Sequence, residues 1–394
     1  MRARPAPKAP AKNLQAVDLA RTLAILPVLA LHATPWLLAQ NQPTTPWSMA
    51  HDQGLPELWD HLQRNGAYGV SVFFLISGFL ITRILDREKG GAFKAGWRKF
   101  YAHRAGRILP LLALDMLVGL AFWLFWRDDS KLFKCCFHLP QRPADPTFWV
   151  PLLFFAFNWA RAYFSLNRWG DISLHWGVLW SLAVEEQFYL FYPWILRVLK
   201  RPRNLVLFFL GLLLAAGLWG WFVMKQPLDN GLDWKWGSFG YFDQIGMGMG
   251  LYFLQKQAGA WLSHRPWAAW GLTLLGLAGF GFVYGETSSA DLTDFFFAPP
   301  LAAASIGVAL LGALNLSFFE SRFFWVFSLP GKYSYGNYLL HTTVIYFLTP
   351  RLAGGNIYLV FLIFASASTA VAALSFHAFE VPANRWVRRL LKCA

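Results

Sequence analysis

Leu205-Val-Leu-Phe-Phe-Leu-Gly-Leu-Leu-Leu-Ala-Ala-Gly-Leu-Trp-Gly-Trp-Phe-Val223 runs for 19 residues without a charged side chain. A helix gains about 1.5 Å per residue, so a run of about 20 apolar residues crosses the hydrocarbon core of a bilayer. No water is present there to satisfy peptide groups, so such a run must be helical. Ala268–Tyr284, Phe296–Leu316 and Ile357–Phe379 are segments of the same kind.

The rest of the chain agrees with this reading. Of its 394 residues 56% are hydrophobic and 14% charged, whereas a soluble domain carries nearer a quarter charged residues. The expected fold is all-α, a polytopic membrane bundle of about ten helices. Expected spans lie near 14–38, 67–85, 106–126, 175–196, 205–224, 238–255, 267–284, 296–316, 333–350 and 357–379. No internal repeat and no appended soluble domain is visible. The expected organisation is a disordered tail over 1–13, a membrane domain over 14–384 and a basic tail over 385–394. The N-terminal tail resembles the start of a signal peptide. However, the apolar run behind it is long, contains Arg21 and His32, and lacks a clear cleavage site before Gln40, so it reads as a retained first span.

The net charge of +14 would suggest nucleic acid on a soluble protein. Here the cations gather in short segments between spans, which is a topology signal, and no nucleic-acid partner is expected. Arg2, Arg4, Lys8 and Lys12 precede span one. Arg83, Arg87, Lys89, Lys94, Arg98, Lys99, Arg104 and Arg107 separate spans two and three. Arg197, Lys200, Arg201 and Arg203 follow span four, and Arg385, Arg388, Arg389 and Lys392 end the chain. All four blocks fall on one side if the apolar segment 147–163 does not cross fully. The expectation is therefore ten spans with both termini cytoplasmic, Glu286–Asp294 on the far side, and 147–163 re-entrant or interfacial. Many of the 21 tryptophans stand near span ends (Trp36, Trp47, Trp176, Trp234, Trp236, Trp267), as interfacial belts require. Cysteine is sparse (Cys135, Cys136 and Cys393), and adjacent Cys135 and Cys136 are poorly placed to bridge each other and show no metal-ligand spacing.

Ionisable groups inside spans are costly and mark candidate sites. In span one, Asp18 stands three residues before Arg21 and can pair with it. Arg21 and His32 are eleven residues apart, nearly on one helix face and separated by roughly 16 Å along the axis. A structural ion pair with a core histidine explains them as well as a site does. In span four, Ser181, Glu185 and Tyr189 share one face at i, i+4, i+8, with Glu186 and Gln187 beside them. A glutamate at that depth needs a cationic partner or a proton. Arg104 and Arg107, at i, i+3, would suit a phosphate-bearing ligand, although topology-setting charge with lipid phosphate contact explains them too. Tyr335, Tyr338 and His341 line one side of span nine, and His377 and Glu380 close span ten.

Together these pieces resemble the acyltransferase-3 family of membrane-bound acyltransferases. Val-Asp18-Leu-Ala-Arg21 through His32 is similar to its Asp-x-x-Arg opening and Arg-x10-His pattern. Gly69-Val-Ser-Val-Phe73-Phe74-Leu-Ile-Ser77-Gly78-Phe79-Leu-Ile-Thr82 resembles its second-span motif. Phe100-Tyr101 with Arg104, Arg107 and Pro110 resembles the basic motif that follows. Trp180-Ser181-Leu-Ala-Val-Glu185-Glu186-Gln187-Phe188-Tyr189 is similar to its signature, Ser334-Tyr-Gly-Asn-Tyr338-Leu-Leu-His341 to its late Tyr-Leu-x-His motif, and Glu380-Val-Pro382 to its closing Glu-x-Pro. There are departures: Ser71 stands where an acid is common, Leu19, Ala20 and Thr22 replace glycines, and Thr342 and Thr343 replace Trp-Pro after His341.

The resemblance implies transfer of an acyl group, usually acetyl, from cytoplasmic acyl-CoA to a glycan hydroxyl across the bacterial inner membrane. It implies no metal. Under it, His32 is the expected base for the sugar hydroxyl, and Glu185 or Glu186 orients and charges that imidazole. Arg21 would hold donor phosphate or pantetheine, or stabilise the thioester oxygen. Arg104 and Arg107 would bind CoA phosphates, and Asp18, Ser181, Tyr189, Tyr338 and His341 would line the substrate site. Implied partners are membrane lipid, acyl-CoA, a periplasmic glycan and polysaccharide-assembly proteins. The alternative is a transporter or flippase for a lipid-linked glycan, which would carry paired repeats or broken helices; none is visible in the sequence.

Overall fold

In the computed structural model the described residues are 14–38, 57–88, 93–125, 150–151, 153–159, 174–199, 202–226, 236–287, 292–352 and 355–390. The tail over 1–13 and the three cysteines lie outside them, as does most of the segments 39–66 and 127–174. The long helices are α1 (Gln15–Leu38), α3 (Tyr68–Glu88), α4 (Phe93–Phe125), α5 (Leu179–Val198), α6 (Pro202–Met224), α7 (Phe242–Ser263), α8 (Pro266–Glu286), α9 (Leu292–Ala313), α11 (Ser334–Leu352) and α12 (Ile357–Ser375). Shorter ones are α2 (Glu57–Arg64), α10 (Arg322–Lys332) and α13 (Val381–Leu390). No strand occurs among the described residues. The protein is an all-α, multi-pass membrane bundle.

Each of the ten segments expected to span falls on one of the ten long helices. Seven of them, α1, α3, α4, α6, α8, α9 and the helix from Ile357, are long and apolar enough to cross a membrane. The other three, α5, α7 and α11, are of spanning length but more polar. Their polar positions are the reason: Ser181, Glu185, Glu186 and Gln187 on α5, Asp243, Gln244, Gln255 and Lys256 on α7, and Asn337, His341, Thr342 and Thr343 on α11. Helix α4 also begins at Phe93, well before the expected 106, because the basic segment ahead of the span is itself helical.

Burial separates inner from outer helices. The apolar window of α3 is 72% buried and that of α6 only 11%. Val206, Leu207, Leu210, Leu214 and Leu218 of α6 are exposed, as on a lipid-facing helix. Helix α1 packs against α3, α10, α11 and α12, and so occupies the middle of the bundle. Helices α3 and α7 cross closely because Gly78 lies on the Ile245 carbonyl and Gly248 on the Leu75 carbonyl, with no room for a side chain at either position. Close approach through small residues is the usual way membrane helices pack where lipid supplies no hydrophobic drive. After α12 the chain makes a π-helical turn, Phe376–Glu380, before α13. Helix α13 takes up the first part of the basic tail and lies against α4.

Within the apolar segment 147–163, the described residues do not form one continuous helix. The chain turns at Phe154 and Phe155, and Phe155 takes a φ of 52°. For a non-glycine residue this conformation costs on the order of 1 kcal/mol, so neighbouring contacts must hold it.

Candidate functional site

Two polar clusters are built on the helices around α1. The first joins α1 to α11. His32 Nδ1 lies 2.9 Å from His341 Nε2, and the ring planes differ by 13° with centroids 5.0 Å apart. Each ring nitrogen is within about one bond length of its ring centre. A 2.9 Å contact with centres 5.0 Å apart therefore puts the two nitrogens close to the line joining the centres. The rings meet edge to edge in nearly one plane, not face to face. Nδ1 of His341 in turn faces its own helix, 2.8 Å from the Tyr338 carbonyl and 3.2 Å from that of Asn337. One turn back on α11, the Tyr338 hydroxyl is 2.7 Å from Ser181 Oγ and 2.8 Å from the Val178 carbonyl, which ties α11 to α5.

The second cluster gathers the arginines. Asp18 and Arg21 form an ion pair of 3.4 Å across one helical turn, and Asp18 also faces the charges of Lys332 and Arg107. The Arg104 guanidinium carbon sits 3.7 Å from the centre of the Tyr189 ring, and the Tyr189 hydroxyl hydrogen-bonds Ser77 Oγ. Arg104 faces Glu186 and Glu185. Glu185 faces Arg104, Arg21 and Arg107. Arg107, its side chain exposed, faces Arg21 and Arg104. Three arginines from two helices thus face Glu185 on a third, and Arg104 faces Glu186 as well. Like charges held this close cost energy unless acids or an anionic ligand compensate them. Arg104 Nε is buried without a hydrogen-bond partner among the described residues, which leaves one donor of the guanidinium unsatisfied there.

The clusters lie at different depths. Arg21 and His32 are on one continuous helix, separated by roughly 16 Å of rise. Helix α5 runs past both, with Ser181 beside Tyr338 and, two turns later, Tyr189 beneath Arg104. The family resemblance implies Glu185 or Glu186 as the orienting group for His32. The charges facing Glu185 are those of Arg104, Arg21 and Arg107, and His341 Nε2 lies at hydrogen-bond distance from His32 Nδ1.

The acyltransferase-3 family model, described as an acyltransferase domain, matches residues 14–377, which include both clusters. The chain belongs to the acyltransferase-3 family. It is similar to O-acetyltransferase OatA of Staphylococcus aureus, 25% identical over 337 residues that cover 81% of this chain and 53% of that protein. It is also similar to peptidoglycan O-acetyltransferase OatA of Listeria monocytogenes, 25% identical over 345 residues that cover 82% of this chain and 52% of that protein. The chain thus spans about half the length of these relatives. No solved structure matches it.

In this acyltransferase-3 chain the signature glutamine is a structural clamp. Gln187 Nε2 donates to the Phe155 carbonyl at 2.6 Å and to Asn158 Oδ1 at 2.9 Å. Its Oε1 accepts from Trp159 Nε1 at 3.0 Å and from Ser238 Oγ at 2.5 Å. Asn158 Nδ2 completes the network through Ser238 Oγ and the Trp236 carbonyl. These bonds hold the turn at Phe155 against α5 and against the segment leading into α7.

A buried acid–imidazole pair, Asp115 and His175, lies outside the sequence-predicted site residues. His175 Nε2 is 3.0 Å from the Asp115 carbonyl and 3.6 Å from Asp115 Oδ2, with both side chains fully buried. The pair ties the turn Leu174–Gly177 to α4. Gly119, one turn beyond Asp115, makes room for it, since a side chain there would meet the His175 ring and Trp176. An aspartate within an apolar run was the available signal. In the π-helical turn, His377 Nε2 lies 3.1 Å from the Tyr333 hydroxyl.

Proposed function

We propose that this chain is a transmembrane O-acyltransferase of the bacterial inner membrane, with acyl-CoA, most simply acetyl-CoA, as donor and a hydroxyl of a cell-surface glycan as acceptor. The observation that carries the proposal is the separation of two clusters along α1 and α5, arginines at one depth and an imidazole pair at the other. The arginine end carries the basic segments expected to face the cytoplasm, where acyl-CoA is made. Arg104 and Arg107 would hold the CoA phosphates, to which the planar guanidinium fork is suited. The long pantetheine arm would carry the thioester along α1 towards His32.

At the far end the glycan hydroxyl meets His32. A sugar hydroxyl is a poor nucleophile near neutral pH, and a base within hydrogen-bond reach contributes about 100- to 10,000-fold. The imidazole takes the hydroxyl proton as the oxygen attacks the thioester carbonyl carbon. The C–S bond then breaks, the proton leaves with the thiolate as free CoA, and the acyl group remains on the sugar oxygen as an ester. In this reading Arg21 is the cation nearest the donor's path, Ser181 and Tyr338 line the passage beside His341, and Asp18 holds Arg21 in place. The relatives' names make peptidoglycan the first glycan to examine, and polysaccharide-assembly proteins would be partners in the membrane.

The test is the acetyl content of surface glycans, measured by mass spectrometry in a deletion strain complemented with wild type or His32→Ala. Wild type is expected to restore an acetyl-sized mass increment that His32→Ala does not, at equal membrane levels of the two proteins. Equal acetylation by both would overturn the proposal.

A further inference from the structure

We infer that His341 is a positioning residue that fixes the tautomer of His32 and leaves its Nε2 as the proton-accepting atom. This deepens the proposed function and rests on it.

The direction of each hydrogen bond fixes the tautomers. A carbonyl oxygen can only accept, so the contacts from His341 Nδ1 to the Tyr338 and Asn337 carbonyls require the proton on Nδ1. In a neutral imidazole the other nitrogen then carries the lone pair. Nε2 of His341 is therefore an acceptor, and the group 2.9 Å away, His32 Nδ1, must donate to it. With its proton on Nδ1, His32 presents the lone pair at Nε2. The edge-to-edge arrangement of the rings fits this assignment, because the lone pair of an imidazole nitrogen lies in the ring plane.

Two backbone carbonyls of α11 thus dictate which nitrogen of a histidine on α1 acts as base. The arrangement does with an imidazole what a buried carboxylate does in a Ser-His-Asp triad. A neutral orienter suits this depth, where a bare carboxylate would be costly. Ser181 and Tyr338 strengthen the arrangement by holding the turn of α11 that carries His341 against α5.

The two amide side chains separate this role from simple packing. Glutamine places its amide where Nε2 of histidine lies, so His341→Gln can still accept from His32 Nδ1. Asparagine reaches only the Nδ1 position, so His341→Asn keeps the bonds to the α11 carbonyls but presents nothing to His32. The full chain is purified in detergent, and CoA release from acetyl-CoA is followed for wild type, His32→Ala, His341→Gln and His341→Asn. His341→Gln is expected to keep kcat within about 10-fold of wild type. His341→Asn is expected to lose about 100-fold or more in kcat, with the KM for acetyl-CoA unchanged. Should the asparagine variant fail to fold, His341→Leu takes its place with the same expected loss. Equal activity in the glutamine and asparagine variants, high or low, overturns the inference. An inactive His32→Ala beside a fully active His341→Asn removes the positioning role alone, whereas a fully active His32→Ala removes the proposed function beneath it.

Discussion

Ser181 donates its hydroxyl proton to the Tyr338 oxygen, 2.7 Å away, because Tyr338 spends its own proton on the Val178 carbonyl at 2.8 Å. This ordered pair joins the helix that carries the two glutamates to the helix that carries His341, between the two clusters. Tyr338→Phe removes both bonds while keeping the ring. Each such bond contributes about 1 kcal/mol net. The expected result is a fall of about 1–2 kcal/mol in stability, read as a lower thermal midpoint in detergent, with CoA release slowed several-fold as His341 loses its support. An unchanged midpoint and rate would show that the contact is incidental.

Gly119 tests how tightly the Asp115–His175 pair is packed. A side chain there would run into the His175 ring and Trp176, whereas Gly217 has open space around it. Overpacking of a filled interior costs about 1–3 kcal/mol, while glycine to alanine on an open helix face gains about 1 kcal/mol of helix propensity. Gly119→Ala should therefore lower the thermal midpoint and Gly217→Ala leave it level or raise it. Equal behaviour of the two variants would contradict the packing described around His175.

Gln187 makes four hydrogen bonds with its amide, and these hold Phe155 in its left-handed conformation. Gln187→Ala would strand several buried groups, each costing about 1–3 kcal/mol. A sharp loss of folded protein is expected, visible as aggregation on size-exclusion chromatography. A stable variant that loses only turnover would give Gln187 a chemical role instead of a structural one.

Arg104 and Tyr189 make a second matched pair. Tyr189→Phe keeps the ring beneath the Arg104 guanidinium and loses the hydroxyl bond to Ser77. Arg104→Gln removes the cation. Titration with acetyl-CoA should show a KM raised about 10-fold or more for Arg104→Gln, the loss expected for a charge-assisted contact of about 1.5–3 kcal/mol, and a much smaller change for Tyr189→Phe. A KM unaffected by Arg104→Gln would remove Arg104 from the donor site.

Local arrangement was legible in the sequence and tertiary partnership was not. Apolar run length placed the helices, and the i, i+3 spacing of Asp18 and Arg21 appears as a 3.4 Å ion pair. Two adjacent acids in an apolar helix called for cations, and the arginines of α1 and α4 face them. Periodicity fixes which residues share a face, but not which face meets which. His32 and His341 are 309 positions apart, and no spacing rule connects them. Two threonines follow His341 where the family pattern has Trp-Pro, and the resemblance offers Glu185 or Glu186, not His341, as the orienting group for His32. Asp115 and His175 are 60 positions apart, with a long intervening segment that hides their pairing. Gln187 read as a neighbour of two acids, because its partners belong to separate segments that only the fold brings together.

The central claim is that the acyl group enters at the arginine end and leaves at the histidine end. Sealed proteoliposomes test it directly, with radiolabelled acetyl-CoA on one face and an N-acetylated glycan oligomer on the other, and with the orientation of the protein fixed by impermeant labelling. Labelled oligomer is expected only when acetyl-CoA is on the face of Arg104 and Arg107 and the oligomer on the face of His32, and none with His32→Ala. Label appearing only when donor and acceptor share a face, or appearing equally with His32→Ala, would contradict it.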